Sequence, residues 1–196
     1  MTSKDKILEK CRRNPVLRCD MPDLSALHPL TYPDTHQAFL DMCAQSATKV
    51  IEITSDQDIN EVIRNLFPDA KKIASNIPEI TIANVNPDTV KEPKDLNGTD
   101  VGVIPAGFGV AENGCLWVPQ TMVQKAVCFI SENLVVLMPS DAVVNNMHEA
   151  YRRIHFNGYQ FGTFISGPSK TADIAQVLVT GAQAARSLTL ILVPED

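Results

Sequence analysis

Four apolar runs constrain this chain more than any other feature: Val101 to Ile104, Leu134 to Met138, Phe161 to Ile165 and Leu188 to Val193. Each is nearly continuous in apolar residues. A strand with one wet face alternates, whereas a continuous run suits a strand covered on both faces. Between the second and third runs, Val143, Met147, Tyr151 and Ile154 share one helical face, which predicts a helix from about 142 to 154. Strands alternating with helices predict an α/β domain, its sheet mainly parallel and covered on both sides.

The N-terminal half fits the same plan. Phe39, Leu40, Cys43, Ala44 and Ala47 recur at helical spacing behind Asp34 and Thr35 as candidate caps, and Val50 to Thr54 reads as a strand. Ser55-Asp-Gln-Asp58 resembles a capping box, with Asp in the place of the usual Glu or Gln. Behind it Ile59, Val62, Ile63, Leu66 and Phe67 form an apolar helical stripe that Pro68 ends. Residues 1–33 read as an arm: a short helix, Lys4 to Arg13, then a stretch broken by Pro15, Pro22, Pro29 and Pro33. The domain is expected over 34–196, with a loop at 84–99. There is no internal repeat.

With 196 residues, 44% of them hydrophobic, the chain can bury a substantial core. A net charge of −6 argues against nucleic acid or an anionic membrane as the main partner, since both need a basic surface. The polar start, Met1 to Lys10, lacks a signal-peptide core, and no run is long enough to span a membrane. A cytoplasmic protein is expected. The five cysteines, 11, 19, 43, 115 and 128, are odd in number and hold no C-x-x-C pair. A disulfide framework, zinc and an iron–sulfur cluster are therefore not expected, nor is any other cofactor. His28, His36, His148 and His155 are too dispersed to suggest a metal site.

Two glycine-bearing segments carry the candidate chemistry. Ser166-Gly-Pro-Ser-Lys-Thr-Ala-Asp173 follows a predicted strand. Such a turn entering a helix can aim backbone N–H groups at an anion, with Lys170 adding charge and Ser169 and Thr171 adding donors. It reads equally well as an ordinary strand-to-helix turn capped by Ser169 or Thr171. It is not a Walker A loop, because Pro168 stands where the lysine belongs. The second segment, Ala106-Gly-Phe-Gly-Val-Ala-Glu-Asn-Gly114, begins a G-x-G-x-x-G pattern with Gly107 and Gly109 but has Glu112 at the third position. If both loops lie at the carboxyl ends of parallel strands they face one crevice, with Lys170 a candidate partner for Glu112. The alternative is a tight turn bearing a solvated glutamate. Cys115, lacking an identifiable activating histidine, is a weak candidate nucleophile.

Ile165-Ser-Gly-Pro-Ser-Lys-Thr-Ala-Asp-Ile174, followed by Val179-Thr-Gly-Ala182 and Ser187-Leu-Thr-Leu-Ile-Leu192, resembles the lactate utilization protein C family, the LUD domain. Gly107-Phe-Gly-Val-Ala-Glu-Asn-Gly114 is similar to that family's glycine-rich Ala-Glu-Thr-Gly stretch. The resemblance implies a three-layer α/β/α domain akin to ribose-5-phosphate isomerase and CoA transferases. It further implies an accessory part in oxidising lactate, or a related organic acid, to pyruvate beside iron–sulfur partner proteins. The site it implies comprises Glu112, Gly167, Ser169, Thr171 and Asp173. Two departures stand out. Lys170 occupies a position where the family usually has arginine, and Gly181-Ala-Gln-Ala-Ala185 replaces Gly-Val-His-Gly-Pro, which leaves Gln183 without the basicity of histidine.

Two other functions remain open at this point. Ala111-Glu-Asn-Gly114 resembles the Ser-Glu-Asn-Gly motif of CoA transferases, which would make Glu112 a carboxylate nucleophile. A non-catalytic domain binding a small anion, an organic acid or phosphate, is the third reading, and a homodimer is open under any of the three.

Overall fold

The computed structural model describes residues 2–14, 20, 22–23, 27–156, 158–159, 161–174, 177–182 and 185–194, with backbone alone at 172–174 and 177–178. In chain order its helices are α1 (Ser3–Arg13), α2 (Thr35–Gln45), α3 (Ile59–Leu66), α4 (Val127–Ile130) and α5 (Met147–Arg153). Its strands are β1 (Thr48–Glu52), β2 (Ile73–Ala74), β3 (Val101–Pro105), β4 (Phe108–Val110), β5 (Cys115–Pro119) and β6 (Asn133–Pro139), then β7 (Val143–Val144), β8 (Gly162–Ile165), β9 (Lys170–Ile174), β10 (Val177–Thr180) and β11 (Ser187–Val193). Five strands form one sheet in the order β1-β11-β6-β3-β2, and every neighbouring pair is parallel.

The continuous apolar runs split residue by residue between the two faces of this sheet. Val101, Val103, Val135 and Ile191 pack with Ile63 of α3 on one side. Leu134, Val136, Leu188, Leu190 and Leu192 pack on the other with Phe39 and Cys43 of α2 and Val127 and Cys128 of α4. Period-two alternation sends successive side chains to opposite faces, so a strand buried twice must be apolar at every position. The result is the three-layer α/β arrangement expected from the sequence.

A second sheet, β7-β4-β5-β8, mixes parallel and antiparallel pairs. Leu116 and Val118 join the core around α2, while Phe108, Val110 and Trp117 form another core with Ala150 of α5. Gly109 sits where a Cβ would lie 2.6 Å from the Phe39 ring, so the close approach of β4 to α2 requires glycine there.

Four expectations need correcting. The run at 161–165 is a strand, but it pairs antiparallel with β5 in the small sheet and is only half-buried. The helix predicted over 142–154 begins at Met147, because Val143 and Val144 pair with β4 and Asn146 caps the helix by accepting from Glu149 N. Asp58 rather than Ser55 caps α3, accepting from Asn60 N at 2.8 Å. Finally, the chain after Ser166–Ser169 enters the antiparallel β9–β10 hairpin and not a helix.

The N-terminal segment is pinned where α5 begins. Asn145 Oδ1 accepts from Tyr32 N and Thr35 Oγ1, both at 2.9 Å, and Asn146 Nδ2 donates to Leu30 O. Helix α1 buries none of its residues. Among the described residues no helix is long and apolar enough to cross a membrane.

Candidate functional site

The two glycine-bearing loops do come together, though not at the carboxyl ends of the parallel strands. Gly107 follows the carboxyl end of β3, and β4 then leads the chain to the last turn of α2, where a Cβ on Gly114 would lie 3.0 Å from the Met42 carbonyl. The Ser166–Lys170 loop reaches the same place, and Ser166 Oγ donates to Asn113 O at 3.2 Å. Ser169 N donates to Ala185 O, two residues before β11 starts. The junction therefore lies at the amino ends of β1 and β11. The reason is topological: antiparallel pairing of β8 with β5 returns the chain to that end.

Ser46, the residue that ends α2, organises the junction. Lys170 Nζ donates to its carbonyl oxygen, and Gly167 presses against the same atom. A Cβ at Gly167 would lie 2.1 Å from that oxygen, and Gly167 has φ +67°, so both space and backbone demand glycine. A lysine at a helix C-terminus meets the partial negative charge of unpaired carbonyls. The cation expected to hold an anion is thus committed to the chain's own backbone.

Glu112, weighed as a partner of Lys170, serves a different helix. Its Oε2 accepts from Met147 N at 2.8 Å, placing a carboxylate at the positive end of α5. Cys115 opens β5 directly after the loop that bears Glu112: burial raises its thiol pKa, and a hydrogen bond with Ser166 acts in the opposite sense. Burial likewise pushes the Cys43 thiol up to about 12, with nearby Cys115 adding to the shift. Neither environment favours a thiolate nucleophile.

The remaining predicted residues are divided. Gly167 and Ser169 line a hollow of about 280 Å³, with Phe129 on one wall and Leu134 and Ala185 deeper. Gly107 and Gly109 lie outside it, one beside Trp117 and one under Phe39. Thr171 lies in β9; Asp173 does too, but its side chain is outside the described residues, as is Gln183. No charged side chain lines the hollow among the described residues. Its volume falls just under the ~300–1,000 Å³ usual for small-molecule sites, and it suits an inserted apolar side chain better than a charged substrate. Phe129, 43% exposed at its edge, escaped notice in the sequence. Its only signal was an aromatic residue among smaller ones in a short helix, which does not distinguish core from rim.

Comparison with known proteins places these features in context. The LUD domain family model matches residues 91–193, just over half of the chain, including both loops and the hollow. Lactate utilization protein C of Oceanobacillus iheyensis is 27% identical over 101 residues, 48% of this chain. The match spans 43% of that protein, less than half its length. The fold is similar to the crystal structure of a DUF162 family protein from Deinococcus radiodurans, with a TM-score of 0.60 and 14% identity over 84% of this chain and 99% of that one.

Proposed function

Because this chain belongs to the LUD domain family, we propose that it is an accessory subunit in the oxidation of lactate, or a related organic acid, to pyruvate, docking on iron–sulfur partner proteins. The observation that carries the accessory role is the uncharged hollow with half-exposed Phe129, built from the Ser166–Ser169 block. Around it the polar groups that would serve catalysis are committed internally: Glu112 to Met147 N, Lys170 to Ser46 O and Ser166 to Asn113 O. Partly exposed aromatic residues beside a pocket are the usual anchors of protein interfaces. In this reading the redox centres belong to the partners and this chain holds them together.

The division into an arm, 1–33, and a LUD-like unit, 34–196, belongs to the same proposal. Its support is that α1 buries nothing, while Leu30 and Tyr32 tie the end of the arm to Asn146 and Asn145. No observation favours the acyl-transfer reading, since one oxygen of the Glu112 carboxylate is already taken up by Met147 N at the start of α5.

The test is affinity capture from the native cell grown on lactate. Recovery of iron-bearing partners with lactate-oxidising activity, lost when Phe129→Asp is the bait, supports the proposal. Capture of no such partner contradicts it.

A further inference from the structure

The opposite end of the parallel sheet holds a larger cavity that the docking role leaves unused. It lies outside the carboxyl ends of β1, β6 and β11 and measures about 560 Å³, well inside the small-molecule range. In open parallel sheets this end is the preferred place for ligands, because the connecting loops diverge there and leave a crevice.

Its surface has two parts. Ile53, Ile59, Ile77, Leu137 and Val193 supply an aliphatic lining, and each is only partly buried although each packs against the core beneath. The polar rim comes from Thr54, Ser55, Gln57, Asp58 and Glu79. Among the described residues no lysine, arginine or histidine lines the cavity. The Glu79 carboxylate and the Ser55 hydroxyl make no hydrogen bond among the described residues, so both are available to a ligand. By contrast Asp58 Oδ1 already accepts from Asn60.

The walls are tied together. Buried Asn60 donates to Asp58 Oδ1 at 3.1 Å and to Glu79 O at 3.0 Å, and it accepts from Ile82 N at 3.3 Å. One side chain thus joins the start of α3 to the 77–82 segment opposite. A cavity whose walls are fixed before binding loses little entropy when a ligand enters.

The chemistry of this lining selects its occupant. Asp58 and Glu79 stand in a lining without a cation, and Arg64 acts on Asp58 from further along α3, so the lining disfavours phosphates and organic acids, lactate included. Carboxylates accept hydrogen bonds from hydroxyl or amino groups, as acidic residues do from a ribose diol. An aliphatic floor meanwhile favours a flat apolar body. We propose that this cavity binds an uncharged nucleoside, its ribose diol on Glu79 and Ser55 and its base against Ile77, Leu137 and Val193. The proposal is independent of the docking role.

Titration of the isotope-labelled full chain with adenosine, followed by amide NMR, tests it. Saturable shifts are expected around residues 53–60 and 77–79. Ile77→Trp, which fills the cavity, should abolish them while the spectrum stays dispersed, and Glu79→Gln should weaken binding about tenfold through loss of a charge-assisted hydrogen bond. AMP should bind about tenfold more weakly than adenosine, because its phosphate meets the carboxylates. The inference is overturned if adenosine causes no saturable shift, if the shifts persist in folded Ile77→Trp, or if AMP binds as tightly as adenosine.

Discussion

Lys170 and Ser46 stand 124 positions apart in the chain, yet the lysine ammonium donates directly to the serine carbonyl that ends α2. Gly167 abuts the same oxygen. The block that most resembles the LUD family thus closes the amino end of the sheet, where α2 hands the chain to β1.

Two variants separate packing from charge at that carbonyl. Gly167→Ala places a methyl group against backbone oxygen at positive φ and should destabilise the protein by about 3 kcal/mol. Lys170→Met keeps the alkyl stem and removes the exposed cation, at a cost of about 0.5–1 kcal/mol. Urea unfolding of both proteins reads the difference. A larger loss from Lys170→Met than from Gly167→Ala would contradict this geometry.

Glu112 is assigned a structural role. Glu112→Gln retains an acceptor for Met147 N and should cost about 0.5–1 kcal/mol, whereas Glu112→Ala, which removes the acceptor, should cost about 2 kcal/mol. Incubation with acyl-CoA and borohydride should leave Glu112 unmodified by mass spectrometry. A modified Glu112 would establish the acyl-transfer reading instead.

The buried thiols predict alkaline sensitivity. Burial pushes Cys43 and Cys128 up to about 12 in the folded protein, against about 8.5 for an unfolded thiol. Their contribution to stability is fully present below about 8.5 and is lost progressively as pH rises toward the folded value. The melting temperature should fall above pH ~9, less steeply in Cys43→Ala. At pH ~8, iodoacetamide should modify exposed Cys11 in the folded protein and spare Cys43 and Cys128. Equal labelling of all three would contradict their placement.

Asp100 predicts sensitivity at the acid end. Its Oδ2 accepts from Lys72 N and Lys71 N, both at 2.7 Å, and these bonds hold its carboxyl below the usual carboxylate range. A depressed folded pKa gives stability that is present above the unfolded value, about 3.9, and is lost as pH falls through the folded one. Asp100→Asn should therefore be less stable than the parent at neutral pH, the two converging as pH falls through the folded value. A constant gap throughout the acid range would show that the charge is immaterial.

The legible parts of this fold were those whose burial is written locally. Val135 packs toward Ile63 and Val136 toward the α2 side, so their adjacency already marks a strand covered twice. The stripe of α3 was equally plain because its core-facing residues recur within one helix. Phe161–Ile165 resembled the parallel strands, but its partners lie in β5, and apolarity alone carries no strand direction. In the predicted 142–154 helix the apolar spacing ran across Asn145-Asn146 and concealed a break. Asn146 three residues before Glu149 was the available cap signal. In the candidate site, proximity of the two loops was foreseen. Their end of the sheet was not, because it depends on that same antiparallel return. The commitments of Glu112 and Lys170 were hidden too, since Met147 N and Ser46 O are backbone atoms brought close only by tertiary folding.

The docking role is tested most directly by measuring complex formation and lactate oxidation together. Cells lacking this chain are complemented with the parent or with Phe129→Asp, a surface change that should leave the purified protein folded. The parent should restore growth on lactate and co-purify with iron-containing partners, and Phe129→Asp should do neither while accumulating to the same level. Full growth and full partner recovery with Phe129→Asp would contradict the docking role of the hollow. Growth restored by the parent without any iron-bearing partner would contradict the accessory role itself.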